Sequence, residues 1–197
     1  MTDLRVLHRR ALQVSVDIVN QVTPERLELP TPCAEWNLGQ LIAHMIGQNL
    51  GFAAAARGER NGVEAFAPVP IADDPTGQHA DSAAKLAEDF AAPGFAERSA
   101  WLAEIRGGGF YPSQTAVGFH LVDSVAHGWD VARALDLPVF FDDEVLEAAL
   151  VISLAIPDGP PREQPGAAFR PSVRVGGDTD LLGRVLALLG RSPDWKP

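Results

Sequence analysis

In the segment HLVDSVAHGWD, residues 120–130, ionisable side chains recur at intervals of three and four: His120, Asp123, His127 and Asp130. On a helix, positions three and four apart share a face, so two imidazoles and two carboxylates stand in one line. Leu121, Val122, Val125, Ala126 and Trp129 fill the flanks. The helix is therefore apolar at its sides and ionisable along a central seam, and burying that seam without partners would be costly. Two compensations are open. Histidine and carboxylate can pair with each other, or they can share a divalent cation, which Asp123 and His127 reach together from positions i and i+4. A third ligand must come from another element. His44, set among Leu41, Met45 and Gln48, is the leading candidate. A His-Asp-His set that leaves a coordination position open is the pattern of a catalytic zinc or related divalent centre, whereas a structural zinc site would be closed and richer in cysteine. His8 lies in a basic run that reads as surface, and His79 in a segment that reads as loop, so neither adds to the pattern.

Other conspicuous residues read as structural. Trp36 and Trp129 are packing residues, Asp130 and Arg133 an intrahelical pair, and Arg170 and Arg174 surface cations able to receive a substrate carboxylate. Cys33, the single cysteine, has no cationic neighbour in sequence to activate it. It cannot form an internal disulfide, which suits a reducing cytoplasm.

The elements that must position these groups follow from apolar periodicity. Leu4, Leu7, Ala11, Val14 and Ile18 give a helix over 3–21. A proline-bearing connector over 23–36 leads to Asn37, an N-cap for a helix running to Arg57. Residues 58–78 hold no sustained period and read as a long loop of lid type. A third helix is expected over Asp81–Ala92, and 95–110 is ambiguous up to the Gly107-Gly108-Gly109 break. A fourth helix starts near Pro112 and runs to Leu135. Beyond it, Asp142–Ala155 and Asp180–Leu189 are helical, and Phe169–Val175 reads as a short strand. The expectation is a mainly α protein: an antiparallel four-helix bundle over 1–137, with a small C-terminal α/β appendage over 138–197 packed on it.

Composition bounds the partners. The chain has 197 residues, 46% hydrophobic and 21% charged, with a formal net charge of -10. An acidic surface without a basic run or zinc-finger spacing argues against nucleic acid. No apolar stretch approaches the roughly 20 residues of a membrane span, and MTDLRVLHRR carries charge where a signal peptide needs an apolar core. The reading is a cytoplasmic monomer or homodimer acting on small molecules. Lysine occurs only at positions 85 and 196, while alanine, glycine, proline and arginine abound, as in GC-rich genomes.

TPCAEWNLGQLIAHMIGQN (31–49) together with HLVDSVAHGWDVARAL (120–135) resembles the DinB-like superfamily. The likeness is closest to its actinobacterial branch, the N-terminal domain of mycothiol-dependent maleylpyruvate isomerases. The resemblance covers the bundle, and the tail more loosely. It implies a four-helix bundle holding a metal, usually zinc, between helices, with His44, Asp123 and His127 at the ligand positions. The isomerase has glutamate where this chain has the shorter Asp123. The resemblance further implies a mycothiol-like thiol as co-substrate, used for S-transfer or isomerisation of a small electrophile. In that setting His120, one turn before Asp123, is the candidate catalytic proton shuttle, and Gln48, one turn after His44, a candidate substrate contact. Two other classes fit the residues: a thiol-independent metal hydrolase or lyase, and a non-catalytic metal- or ligand-binding bundle.

Overall fold

A computed structural model describes residues 3–164 and 166–197. Its first helix, α1 (Leu4–Val19), begins at Asp3, whose carboxylate accepts the Arg5 N–H. The second, α2 (Leu38–Ala56), opens on a capping box. Asn37 accepts from the Gln40 backbone at 2.9 Å while the Gln40 side chain accepts from the Asn37 backbone at 3.0 Å. The third, α3 (Pro75–Ala91), starts six residues before the expected Asp81. Asp74 caps it by accepting from the Gly77 N–H and the Thr76 hydroxyl, and Pro75 occupies the first helical position, where a missing N–H costs nothing. The fourth, α4 (Ser113–Ala134), is the longest and carries the ionisable seam.

α1 packs against α3 and α4, and α2 packs against the same two helices, which closes a four-helix bundle. The ambiguous stretch before α4 is an antiparallel hairpin, β1 (Ser99–Leu102) and β2 (Gly109–Pro112), with Ser99 opposite Pro112 and Leu102 opposite Gly109. Between its strands Arg106, Gly107 and Gly108 all take positive φ, which reverses the chain.

Of the expected 58–78 loop, residues 75–78 belong to α3, and the remainder is a strap laid along α2. A 3₁₀ turn (Val63–Phe66) drives Phe66, 4% exposed, edge-on against Phe52. The Val69 N–H donates to the Ala43 carbonyl at 3.0 Å. Gly47 and Gly51 make the contact possible, because a methyl at either would collide with Ala67 or Phe66.

The tail contributes α5 (Asp143–Leu154), capped by Asp142, and α6 (Leu181–Leu188), capped by Asp180. Val145, Leu146, Ala149, Val185 and Leu189 share one apolar cluster with Leu7, Ala11, Leu121, Val122 and Val125, so these helices cover the α1–α4 face. The strand expected at 169–175 does not form. That stretch is extended chain lying against a helix, bonded through the Val173 N–H to the Ala187 carbonyl at 2.8 Å, and a helix offers no ladder to pair with. Among the described residues the two-stranded sheet is instead the hairpin before α4. Among the described residues, no helix is long and apolar enough to cross a membrane.

Candidate metal centre

α2 and α4 bring His44, Asp123 and His127 together: each offers one ligand atom, and the three atoms lie within 4.8 Å of one another. His127 Nε2 is 3.4 Å from Asp123 Oδ1, and the His44 and His127 rings stand nearly perpendicular with centroids 5.0 Å apart. Trp36, just before the α2 cap, lies over His44 at 4.5 Å between centroids. It walls the site as well as packing. The ligand set is unevenly exposed: the Asp123 side chain retains 22% of its exposure and His127 only 8%.

Behind His127 the seam continues inward. His127 Nδ1 lies 2.9 Å from Asp130 Oδ2, and the Asp130 side chain is 0% exposed. Asp130 does not pair with Arg133, contrary to the spacing argument. It accepts from Arg191, whose Nε reaches both carboxylate oxygens at 3.0 and 3.1 Å and whose Nη2 reaches Oδ2 at 2.8 Å. Burial favours this long-range guanidinium over the neighbour on the helix surface, since Arg133 turns out to the Trp195 carbonyl and the Trp129 ring. Cys33 also has a cationic neighbour after all. Its thiol donates to Asp130 Oδ2 at 3.2 Å, and Arg191 Nη2 approaches its sulfur at 3.3 Å. Cys33, His127 and Asp130 form a second trio of possible ligands, but the Arg191 guanidinium already supplies the positive charge there.

These contacts polarise the groups. Burial opposes charge on the His127 ring, yet the Asp123 charge and the hydrogen bonds the ring donates to Asp123 and Asp130 outweigh it and raise its pKa well above the ordinary value. Against the same burial, His127 and the other nearby histidines hold Asp123 well below the usual carboxylate range. Arg191 and His127 bring Asp130 down to about 2. His44 is pushed to about 4 by burial and by the charge on His127, so it is neutral and its lone pair is free.

The other expected site residues lie elsewhere. His120 is 1% exposed and sits in the bundle core, against Phe52 and Phe90. Its Nδ1 is 2.9 Å from His8 Nε2 and 3.2 Å from the Ser124 hydroxyl, while its Nε2 is buried without a hydrogen-bond partner among the described residues. His8 is therefore not a surface residue, and His79 is not in a loop but buried on α3. Burial pushes both His120 and His79 to about 4. Gln48 is buried one turn after His44 on α2 and donates to the Phe66 carbonyl at 3.3 Å and to Glu104 Oε2 at 3.0 Å.

Glu104, on the loop of the hairpin, is a residue the sequence did not single out. Solvent reaches it, but protein surrounds its carboxyl on most sides. Desolvation, opposed by the Gln48 bond and aided by the Asp123 charge, pushes the carboxyl up to about 7. Nothing in the local pattern marks it, because the fold alone brings it 56 positions back to α2.

Residues 8–132 match the family model of the mycothiol maleylpyruvate isomerase N-terminal domain. Two uncharacterized proteins of Mycobacterium tuberculosis, Rv0738 of strain H37Rv and MT0763 of strain CDC 1551, are each 29% identical over 193 residues, covering 96% of this chain and 98% of theirs. Among solved structures, the mycothiol-dependent maleylpyruvate isomerase superposes with a TM-score of 0.60 at 15% identity, over 98% of this chain and 94% of that one. A histidine-to-alanine mutant of such an isomerase gives a TM-score of 0.59 at 14% identity, over 78% of this chain and 72% of that one. These two share the fold.

Proposed function

Because the chain belongs to the mycothiol maleylpyruvate isomerase N-terminal domain family, we propose that it is a metal-dependent enzyme that uses a low-molecular-weight thiol of the mycothiol type. Its reaction is S-transfer to, or isomerisation of, a small electrophile. The observation that carries this reading is the convergence of His44, Asp123 and His127. The donor set fits a divalent cation, zinc first. His44 is neutral, Asp123 stays ionised, and His127 hands one ring nitrogen to Asp130 and keeps Nε2 for a ligand bond. When bound, such a cation lowers the pKa of a coordinated thiol or water toward neutrality.

The remaining roles belong to the chain. Trp36 and His127 stand side by side with ring centroids 6.3 Å apart, and Asp123 is the more exposed carboxylate available to a substrate. Gln48 holds Glu104 in place. Glu104, poised near neutral pH, is the group that gives or accepts a proton at the open edge. His120 is assigned a place behind Asp123, where its bonds to His8 and Ser124 fix that turn of α4 and its ring holds a proton out of solvent.

The test is direct. Purified protein is expected to carry near-stoichiometric zinc by elemental analysis, and to consume mycothiol or isomerise a cis-enone acid only in its presence. Protein that folds but takes up no divalent metal would overturn the reading. Turnover that proceeds unchanged without thiol would replace it with metal-dependent hydrolysis or elimination. Metal binding with no turnover of any electrophile would reduce the molecule to a binding protein.

A further inference from the structure

Asp130 is fully buried, and a carboxylate there costs heavily unless its charge is matched. Its match comes from the far end of the chain. Arg191 lies just beyond α6, where Gly190 at φ 78° packs on the Arg170 backbone and the Arg191 N–H bonds the Leu186 carbonyl at 2.9 Å. That turn aims the guanidinium inward. Once there it is 7% exposed, with its Nε and Nη2 on Asp130 and its Nη1 on the Leu189 carbonyl at 3.3 Å. The remaining acceptor capacity of Asp130 Oδ2 is directed at His127 Nδ1 and at the Cys33 thiol.

We infer that Arg191 and Asp130 form a positioning clamp for the metal centre, so that the C-terminal tail is a working part of the site. Asp130 accepts from His127, which compels Nδ1 to carry the proton and leaves Nε2 as the ligand atom facing Asp123 and His44. Arg191 matches the Asp130 carboxylate with three N–H contacts and fixes its plane, so the imidazole is held in one tautomer and one rotation. Neither residue belongs to the ligand set. Both act through His127, as carboxylates behind ligating histidines do in general. The clamp rests on the reading of His44, Asp123 and His127 as metal ligands.

The experiment is a zinc competition titration against a chromophoric chelator at fixed pH, on wild type, Arg191→Met, Arg191→Lys and the double variant Asp130→Asn/Arg191→Met. It is paired with NMR of the zinc-loaded, histidine-labelled proteins to follow the His127 Nδ1 proton. Wild type is expected to show a downfield, slowly exchanging Nδ1–H resonance. Arg191→Met is expected to lose that signal and about 10- to 100-fold in zinc affinity. Arg191→Lys, which keeps a charge but not the fork, recovers part of both. Should Arg191→Met fail to melt cooperatively because Asp130 is left unmatched, the double variant removes both charges and carries the same expectation. Folded variants with wild-type affinity and an unchanged Nδ1–H signal would overturn the clamp alone. A wild type that binds no zinc would overturn the reading of the ligand set, and this inference with it.

Discussion

His127 stands between two carboxylates, one on each ring nitrogen, and without a cation the proton on Nε2 is what ties it to Asp123. Metal and proton therefore compete for the same atom. The His127 pKa is raised well above 6.5, so near neutral pH the ring must release a proton when metal binds, whereas His44, at about 4, is already deprotonated. Binding that expels one proton strengthens as pH rises. Apparent zinc affinity should climb about tenfold per pH unit below the raised His127 pKa and flatten above it. Competition titrations at several pH values measure the slope, and a pH-independent affinity would show that His127 Nε2 is not a ligand. His44→Ala removes a neutral donor and should abolish tight binding at every pH, read as zinc content after dialysis. The convergence of these three proposed ligands was legible in the sequence because helical spacing places Asp123 and His127 on one face and a lone apolar-flanked histidine stands out on α2. Arg191 and Cys33 were not, since they meet 158 positions apart and the sequence around each looks like ordinary loop. His8 misled for a related reason: flanking arginines at positions 9 and 10 made a buried ring look like part of a surface run.

At the scale of elements, the site depends on how α2 begins and on what lies along it. The capping box at Asn37 sets the first turn two turns before His44, next to the Trp36 wall. Asn37→Ala removes the side-chain acceptor for the Gln40 N–H and should cost about 1 kcal/mol, seen as a fall of a few degrees in Tm with zinc stoichiometry retained. Gly47 is more demanding. A methyl there meets the Ala67 carbonyl, and backbone cannot step aside as a flexible side chain can. Gly47→Ala should therefore lift the 63–69 strap from α2, destabilise by about 1–3 kcal/mol, and loosen the Phe66 carbonyl that anchors Gln48. Hydrogen exchange at the Val69 amide, bonded to Ala43, would report the strap directly, and unchanged protection would refute the steric argument. The sequence marks helices well where a long apolar period has a clear start, Asn37 as the cap of α2 and Pro112 ahead of α4. It placed the start of α3 too late because Asp74-Pro75, a cap followed by a first-turn proline, was taken as part of a loop. It left the hairpin before α4 unresolved because strands of four residues carry too little alternation to register.

For the whole molecule, the question is whether the tail is an addition to the bundle or a part of it. The apolar face formed by Leu7, Ala11, Leu121, Val122 and Val125 lies on α1 and on the same α4 that bears the ligands, and α5 and α6 cover it. Stripping that cover would expose a contiguous apolar patch of the size that soluble monomers seldom tolerate, on the order of several hundred Å². It would also remove Arg191 and leave Asp130 charged and unmatched next to His127. Both effects act on α4, one through its packing and one through its seam. A fragment of residues 1–137 should thus aggregate, or remain soluble only without a cooperative melting transition, and should bind zinc far more weakly than the full chain. Supplying residues 138–197 in trans should restore part of each property if the two segments fold against each other. A fragment of 1–137 that is monomeric, melts cooperatively near the full-length Tm and binds zinc with full-length affinity would make the tail a dispensable appendage. Loss of zinc binding with cooperative melting intact would instead isolate the electrostatic contribution of Arg191 from the packing contribution of α5 and α6.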